Sequence, residues 1–216
     1  MHGPQDWWPG EDAFEIAVGA ILTQRTSWRN AARAIENLRA ANCLGIDALL
    51  RMGEGHLQEL LKPCGFYRVK AARLTRFCRW LAAHGGFPGL GAMSTPALRE
   101  ALLGVHGIGP ETADAILLYA CERPVFVVDA YAYRLFGRLG LIDALAQRNY
   151  EVVRRRVECA LGADSSSLSE LHALVVRHGQ TFCRPKPLCE QCRLRELCPS
   201  ALPAHAAAVA GRGSHH

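Results

Sequence analysis

No stretch of the 216-residue chain approaches the roughly eighteen uninterrupted apolar residues of a membrane-spanning helix, so a bilayer span is excluded. The start, Met1-His2-Gly3-Pro4-Gln5-Asp6, lacks the basic stretch and apolar run of a signal peptide, and a cytoplasmic address is expected. There is no internal repeat and no low-complexity linker. Lysine is scarce: Lys62, Lys70 and Lys186 are the only three. An odd number of cysteines, nine, excludes a complete disulfide framework, and the expected address favours metal binding or buried thiols. Disorder is excluded too, because half of the residues are hydrophobic and 21% are charged. The length permits one or two domains with a real core. The net charge of +5 is compatible with a polyanionic partner without requiring one. At the far end, Arg212-Gly213-Ser214-His215-His216 reads as the stub of a polyhistidine tag, so its histidines are not candidate metal ligands. Ala201 to Ala210 has no packing pattern and reads as a frayed end.

Most of the chain carries helical periodicity. Asp12 is placed to cap a helix, with Glu15 three residues on and Phe14, Ala17 and Ile21 at helical spacing. A second helix is expected from about Ser27 to Leu38. Tyr67 to Leu81 is amphipathic, with Ala71, Leu74, Phe77, Cys78 and Leu81 on one face and Gly85-Gly86 to end it. Thr95-Pro96 opens a short helix to Leu103, since proline suits a first helical turn. Further helices are expected over Glu111 to Cys121, Val152 to Leu161 and Leu168 to His178, the last two stopping at Gly162 and Gly179. Only Val125-Phe126-Val127-Val128 looks like a strand, too little for a sheet, so the fold class is all-α.

Cys183, Cys189, Cys192 and Cys198 lie within sixteen residues, at gaps of five, two and five. Four thiolates satisfy an iron–sulfur cubane or a structural zinc ion. The usual zinc pattern has two close pairs, whereas only one pair here is close, which favours a [4Fe–4S] cluster. The other five cysteines, Cys43, Cys64, Cys78, Cys121 and Cys159, fall on apolar helix faces and read mostly as small core residues.

Between two expected helices lies Val105-His106-Gly107-Ile108-Gly109-Pro110-Glu111-Thr112. Gly107 and Gly109 permit a tight turn with exposed amides, which with the next helix start would make an anion site. A lone GxG is usually just a loop. Between helices it reads as a helix-hairpin-helix that grips a DNA phosphate and positions the duplex without reading its sequence. Further on, Asp129 ends an apolar run and begins a helix. It is either an N-cap or a carboxylate that stabilises a developing cation and orients a water.

In that order, the hairpin, Val128-Asp129, Arg134, His178-Gly179 and the four-cysteine loop resemble the endonuclease III superfamily of DNA glycosylases, over roughly residues 7 to 198. The first cysteine gap is five where the family usually has six. The resemblance implies a six-helix barrel carrying the hairpin, residues 19–126. A discontinuous cluster domain would take residues 1–18 and 127–204, and residues 205–216 would be tail and tag. It also implies a DNA-binding cleft between the two domains with Asp129 facing it, a monomer, and double-stranded DNA with a damaged base as partner. Such a protein would be nucleoid-associated. Gly107, Gly109, Glu111 and Thr112 would meet DNA at the hairpin. Lys186, in the first cysteine loop, would meet phosphate unless it is merely solvated.

Bifunctional members carry a lysine at the position of Glu111, whose amine attacks the sugar and leads to strand cleavage. Glutamate cannot do this, and a monofunctional enzyme is expected. Glu111 otherwise reads as a first-turn acid that complements the helix dipole. Trp7-Trp8-Pro9, Ile21 to Trp28, Cys64 to Ala71 and Glu111 to Leu117 further resemble the type III 3-methyladenine DNA glycosylases. In that branch the aromatic pair and the position of Trp28 line the base pocket, and Gln24 matches a wedge that fills the gap left by the flipped base. A cationic alkylated purine would gain cation–π energy between indoles. Packing roles compete with each: a hydrophobic plug for Trp7-Trp8, core filling for Trp28, a helix-end amide for Gln24. The resemblance therefore implies hydrolytic release of 3-methyladenine or 7-methylguanine, Asp129 being catalytic. The alternatives are release of oxidised, deaminated or mismatched pyrimidines, with or without weak lyase activity, and a DNA-binding or redox-sensing module without catalysis.

Overall fold

The computed structural model describes residues 2–3, 5, 7–143 and 149–201. Among them the fold is all-α. Eleven α-helices follow in order: α1 (Ala13–Leu22), α2 (Trp28–Ala40), α3 (Ile46–Arg51), α4 (Glu54–Leu61), α5 (Tyr67–Ala83), α6 (Gly86–Leu90), α7 (Thr95–Leu103), α8 (Pro110–Ala115), α9 (Ala130–Arg138), α10 (Tyr150–Leu161) and α11 (Ser165–Thr181). The chain divides into two compact units. One holds residues 8–127 with 164–166, and the other holds residues 1–7, 128–163 and 167–216. No helix among the described residues is long and apolar enough to cross a membrane. The Ala-rich tail beyond Ala201 lies outside the described residues.

Local chemistry sets the helix starts. Asp12 Oδ1 accepts the Glu15 backbone N–H at 2.8 Å and caps α1, worth about 1 kcal/mol. The Glu15 carboxylate takes Arg39 Nη2 at 2.7 Å. Ser94 caps α7, with Pro96 in its first turn. The apolar stripe of α5 is the one its sequence spells: Ala71, Leu74, Phe77, Cys78 and Leu81 are all buried. Lys70 joins them, although its charge would be costly there. Its Nζ donates to the Cys64 carbonyl at 2.6 Å, and burial pushes its pKa down.

Four sequence expectations change. Val125–Val128 is fully buried but is not a strand. The helix expected over Glu111 to Cys121 is only six residues of α8, followed by a π-helical turn over Ile116–Ala120. There the Cys121 N–H reaches back five residues to the Ile116 carbonyl at 3.1 Å. Such a widened turn re-aims the side chains it carries. The last long helix does not stop at Gly179 but runs on to Thr181. Gly179 is small for another reason: a Cβ there would lie 2.5 Å from Tyr131 Cδ1. Finally, Cys159 is exposed, whereas Cys64 and Cys78 are buried and Cys43 and Cys121 half-buried.

Candidate functional site

The hairpin lies in the unit of residues 8–127. Val105 and Ile108 are buried and root it, and the Ile108 N–H bonds the Val105 carbonyl at 2.9 Å. Gly107 has φ +98°, a region that favours glycine. It is also crowded, since a Cβ there would lie 2.5 Å from Arg73 Cγ. Gly109 precedes α8, where Pro110 and exposed Glu111 form the first turn. Gln24, just past α1, ties this turn together. Its Nε2 donates to the Gly107 carbonyl at 3.0 Å and to Thr112 Oγ1 at 2.9 Å. Arg73 Nη1 donates in turn to Gln24 Oε1. The Gln24 amide is thus bonded, not to its own helix end, but to the hairpin 83 residues away. Arg73 is part of this network and was not singled out by sequence.

Among the non-glycine residues on left-handed backbone are Arg25 at φ +56° and Phe66 at φ +47°. Phe66 follows Gly65, also left-handed, and is 63% exposed.

Trp8 and Trp28 come together in the same unit. Their rings meet edge-on, centroids 5.6 Å apart at 74°, and Tyr119 of the π-helical turn lies 5.0 Å from Trp8. Gly19 makes room: a Cβ there would stand 3.1 Å from Trp8 Nε1 and 3.2 Å from Trp28 Cζ3. The rings pack on one another and leave no slot between parallel faces, which a stacked base would need. Trp8 Nε1 is buried without a hydrogen-bond partner among the described residues, and so is Trp7 Nε1. Trp7 belongs to the other unit, and Pro9 is exposed. Tyr119 and Gly19 were not singled out by sequence.

In the unit that includes residues 128–163, Asp129 is the N-cap of α9. Its Oδ1 accepts the Ala132 N–H at 2.8 Å. Its Oδ2 lies 3.6 Å from Nε2 of His172, which is 3% exposed on α11. The Asp129 side chain keeps 14% of its surface open. Just before it, the Val128 N–H donates to Tyr150 Oη at 3.3 Å. The N-cap geometry therefore holds, and it leaves one carboxylate oxygen without a backbone donor.

Cys183, Cys189, Cys192 and Cys198 line a single cavity in that unit, with Leu135 and Phe182 among its apolar walls. Arg138 closes one side. Its Nη1 donates to Cys183 Sγ at 3.3 Å and to the Arg184 carbonyl at 2.7 Å, and its Nη2 to the Pro185 carbonyl at 3.0 Å. Arg134 Nε holds the Cys183 carbonyl at 2.7 Å and its Nη2 the Gly179 carbonyl at 3.3 Å. His178 Nε2 lies 3.4 Å from Cys192 Sγ, and burial lowers the imidazole pKa. Among the described residues no three potential ligands converge on one ion. The donor set is four sulfurs around a shared apolar space with a cation at its edge. That suits an anionic cluster spread over several ångströms better than one ion, which draws its sulfurs to about 2.3 Å.

The lysines are accounted for. Lys62 pairs with Glu59 at 2.6 Å on the surface, Lys70 is buried, and Lys186 is exposed in the first cysteine loop.

Comparison with known proteins fits these sites into one class. Residues 18–159 match the model of the HhH-GPD superfamily base excision DNA repair proteins. A Methanocaldococcus jannaschii protein named as a DNA repair glycosylase is 44% identical over 92% of this chain and 91% of its own length. Endonuclease III of Thermotoga maritima is 27% identical over 87% of this chain and 83% of its own. Among solved structures, the H. pylori 3-methyladenine DNA glycosylase bound to 1,N6-ethenoadenine aligns with a TM-score of 0.65 and 31% identity, over 81% of this chain and 87% of that one. A non-covalent endonuclease III–DNA complex aligns with a TM-score of 0.72 at 20% identity, a likeness of fold, over 89% and 86% of the two chains. The chain belongs to the HhH-GPD superfamily of base excision DNA repair proteins. It is a DNA glycosylase, and DNA is its substrate.

Proposed function

We propose that this glycosylase is monofunctional and hydrolyses the N-glycosidic bond of alkylated purines, 3-methyladenine and 7-methylguanine being the expected lesions. The carrying observation is the Asp129 carboxylate, fixed through Oδ1 by the Ala132 N–H, with Oδ2 facing His172 Nε2 at 3.6 Å and the side chain partly exposed. The residue at the motif position supports the monofunctional reading: Glu111 stands in the first turn of α8 where a bifunctional enzyme needs lysine, and Lys70 is sealed in the core. The likeness to a 3-methyladenine glycosylase at 31% identity supports the lesion class.

In this reading the duplex is held by the backbone amides around Gly107 and Gly109, with Glu111 and Thr112 at the same turn and Lys186 a further phosphate contact. The damaged nucleotide leaves the stack, at a cost of about a few kcal/mol. Trp7, Trp8, Pro9 and Trp28 are the proposed base contacts. Trp8 and Trp28 must part from their edge-on contact to receive a base, and a stacked base returns about 1–3 kcal/mol. Gln24 fills the vacated space only by giving up Gly107 and Thr112. Phe66, already exposed, is a second candidate for that role. A cationic base departs with the C–N bonding pair and needs no strong acid. Asp129 stabilises the sugar cation, and a water adds to C1′ while its proton passes to the carboxylate.

The four cysteines are proposed to hold a [4Fe–4S] cluster, which when bound supplies a fixed node for the loop carrying Arg184, Lys186, Arg193 and Arg195. A DNA substrate puts the proposed site of action at the nucleoid.

The test is a single-turnover panel of duplexes with defined lesions. Release of methylated purines, with no borohydride-trapped DNA adduct, is expected. Release of oxidised or deaminated pyrimidines with methylpurines untouched would favour the second reading, which rests on the relatives named endonuclease III.

A further inference from the structure

His172 lies on the buried face of α11, which it shares with Leu168, Ala173, Val175 and Val176. A histidine on such a face is ordinarily a core residue. This one has a directed neighbour: its Nε2 stands 3.6 Å from Asp129 Oδ2, across from the helix that Asp129 caps. Other contacts restrain its backbone or its other oxygen. The preceding Val125–Val128 segment is buried, Tyr150 Oη takes the Val128 N–H, and the Ala132 N–H holds Oδ1. Helices α10 and α11 bring Tyr150 and His172 to this cap.

We propose that His172 is a positioning residue for Asp129, its Nε2 restraining the Oδ2 oxygen through base release. This rests on reading Asp129 as the catalytic carboxylate. The 3.6 Å separation is longer than a hydrogen bond, and it sets the buried ring directly against that oxygen. The same contact keeps Oδ2 turned toward the forming sugar cation, so His172 acts on the reaction through Asp129 without touching the substrate.

The test compares His172→Leu, which removes the polar atom, with His172→Gln, which places an amide nitrogen near the position of Nε2. His172→Asn, too short to reach Oδ2, replaces the leucine variant if that one does not fold. The expected result for His172→Leu is about a tenfold slower single-turnover base release. His172→Gln should restore most of the rate. Affinity for a duplex with an abasic-site analogue should be unchanged in both. A wild-type rate in His172→Leu, or a glutamine variant as impaired as the leucine one, would overturn the proposal and leave only packing. Asp129→Asn separates the two layers. If that variant is inactive while His172→Leu is normal, the histidine proposal alone fails. If it releases base at the wild-type rate, the reading of Asp129 fails and takes this proposal with it.

Discussion

Gln24 Nε2 donates to the carbonyl of Gly107 at 3.0 Å, joining the end of α1 to the turn of the hairpin. The same amide reaches Thr112 Oγ1 and receives Arg73, so one uncharged side chain sets the shape of the hairpin. Gln24→Ala removes three hydrogen bonds, each worth about 1 kcal/mol net. A drop in Tm of several degrees is expected, with roughly tenfold weaker binding to an abasic-analogue duplex by fluorescence anisotropy. Gly107→Ala should reproduce the binding loss with Gln24 intact, since it strains a left-handed backbone and displaces Arg73. Unchanged affinity in both variants would show that the hairpin does not carry the phosphate contact.

Asp129→Asn separates capping from chemistry. Asparagine caps a helix about as well as aspartate, so the urea midpoint should move by less than about 1 kcal/mol. Base release from a methylated purine duplex should fall by about a hundredfold or more, the size of a lost general base. A variant that is equally unstable and inactive would point to the cap alone.

Substituting Cys192 by serine tests the cysteine cavity. The purified wild-type protein should be brown, with broad visible absorbance and about four irons per chain. Cys192→Ser should lose most of that iron and weaken DNA binding more than it lowers helicity. Stoichiometric zinc without iron would replace the cluster with a structural ion.

Alkaline stability should depend on Cys78. Burial pushes its thiol up to about 12 from the ordinary 9.0. The unfolded chain loses this proton first, so the stability contribution is complete below about pH 9 and falls as pH rises toward 12. The slope is about 1.4 kcal/mol per pH unit for one such thiol. Urea midpoints measured from pH 8 to 11 should therefore fall less steeply in Cys78→Ala than in the wild type.

Much of the fold is legible because helices announce themselves locally. Asp12, Ser94 with Pro96, and the stripe from Ala71 to Leu81 act within one or two turns, and the helices begin and pack as their sequence reads. Short helices such as α3 and α4 pass unread, since six to eight residues give too little periodicity. Gly179 misled because a glycine can end a helix or admit a neighbour. Here Tyr131 presses on it and the helix continues. The π-helical turn was illegible for a similar reason: its extra residue is decided by packing, not by propensity.

The order of motifs in the sequence determined the class of the protein, since the hairpin, Asp129 and the four cysteines are chemically distinctive wherever they stand. It also placed glutamate at position 111, on which the proposed monofunctional reading rests. The partners of those residues came only from tertiary structure. Arg73 at Gln24, His172 at Asp129, Arg138 at Cys183 and Tyr119 at Trp8 are separated from them by 43 to 111 residues. No local pattern encodes such a meeting, because it depends on how whole helices pack and which face each one turns inward.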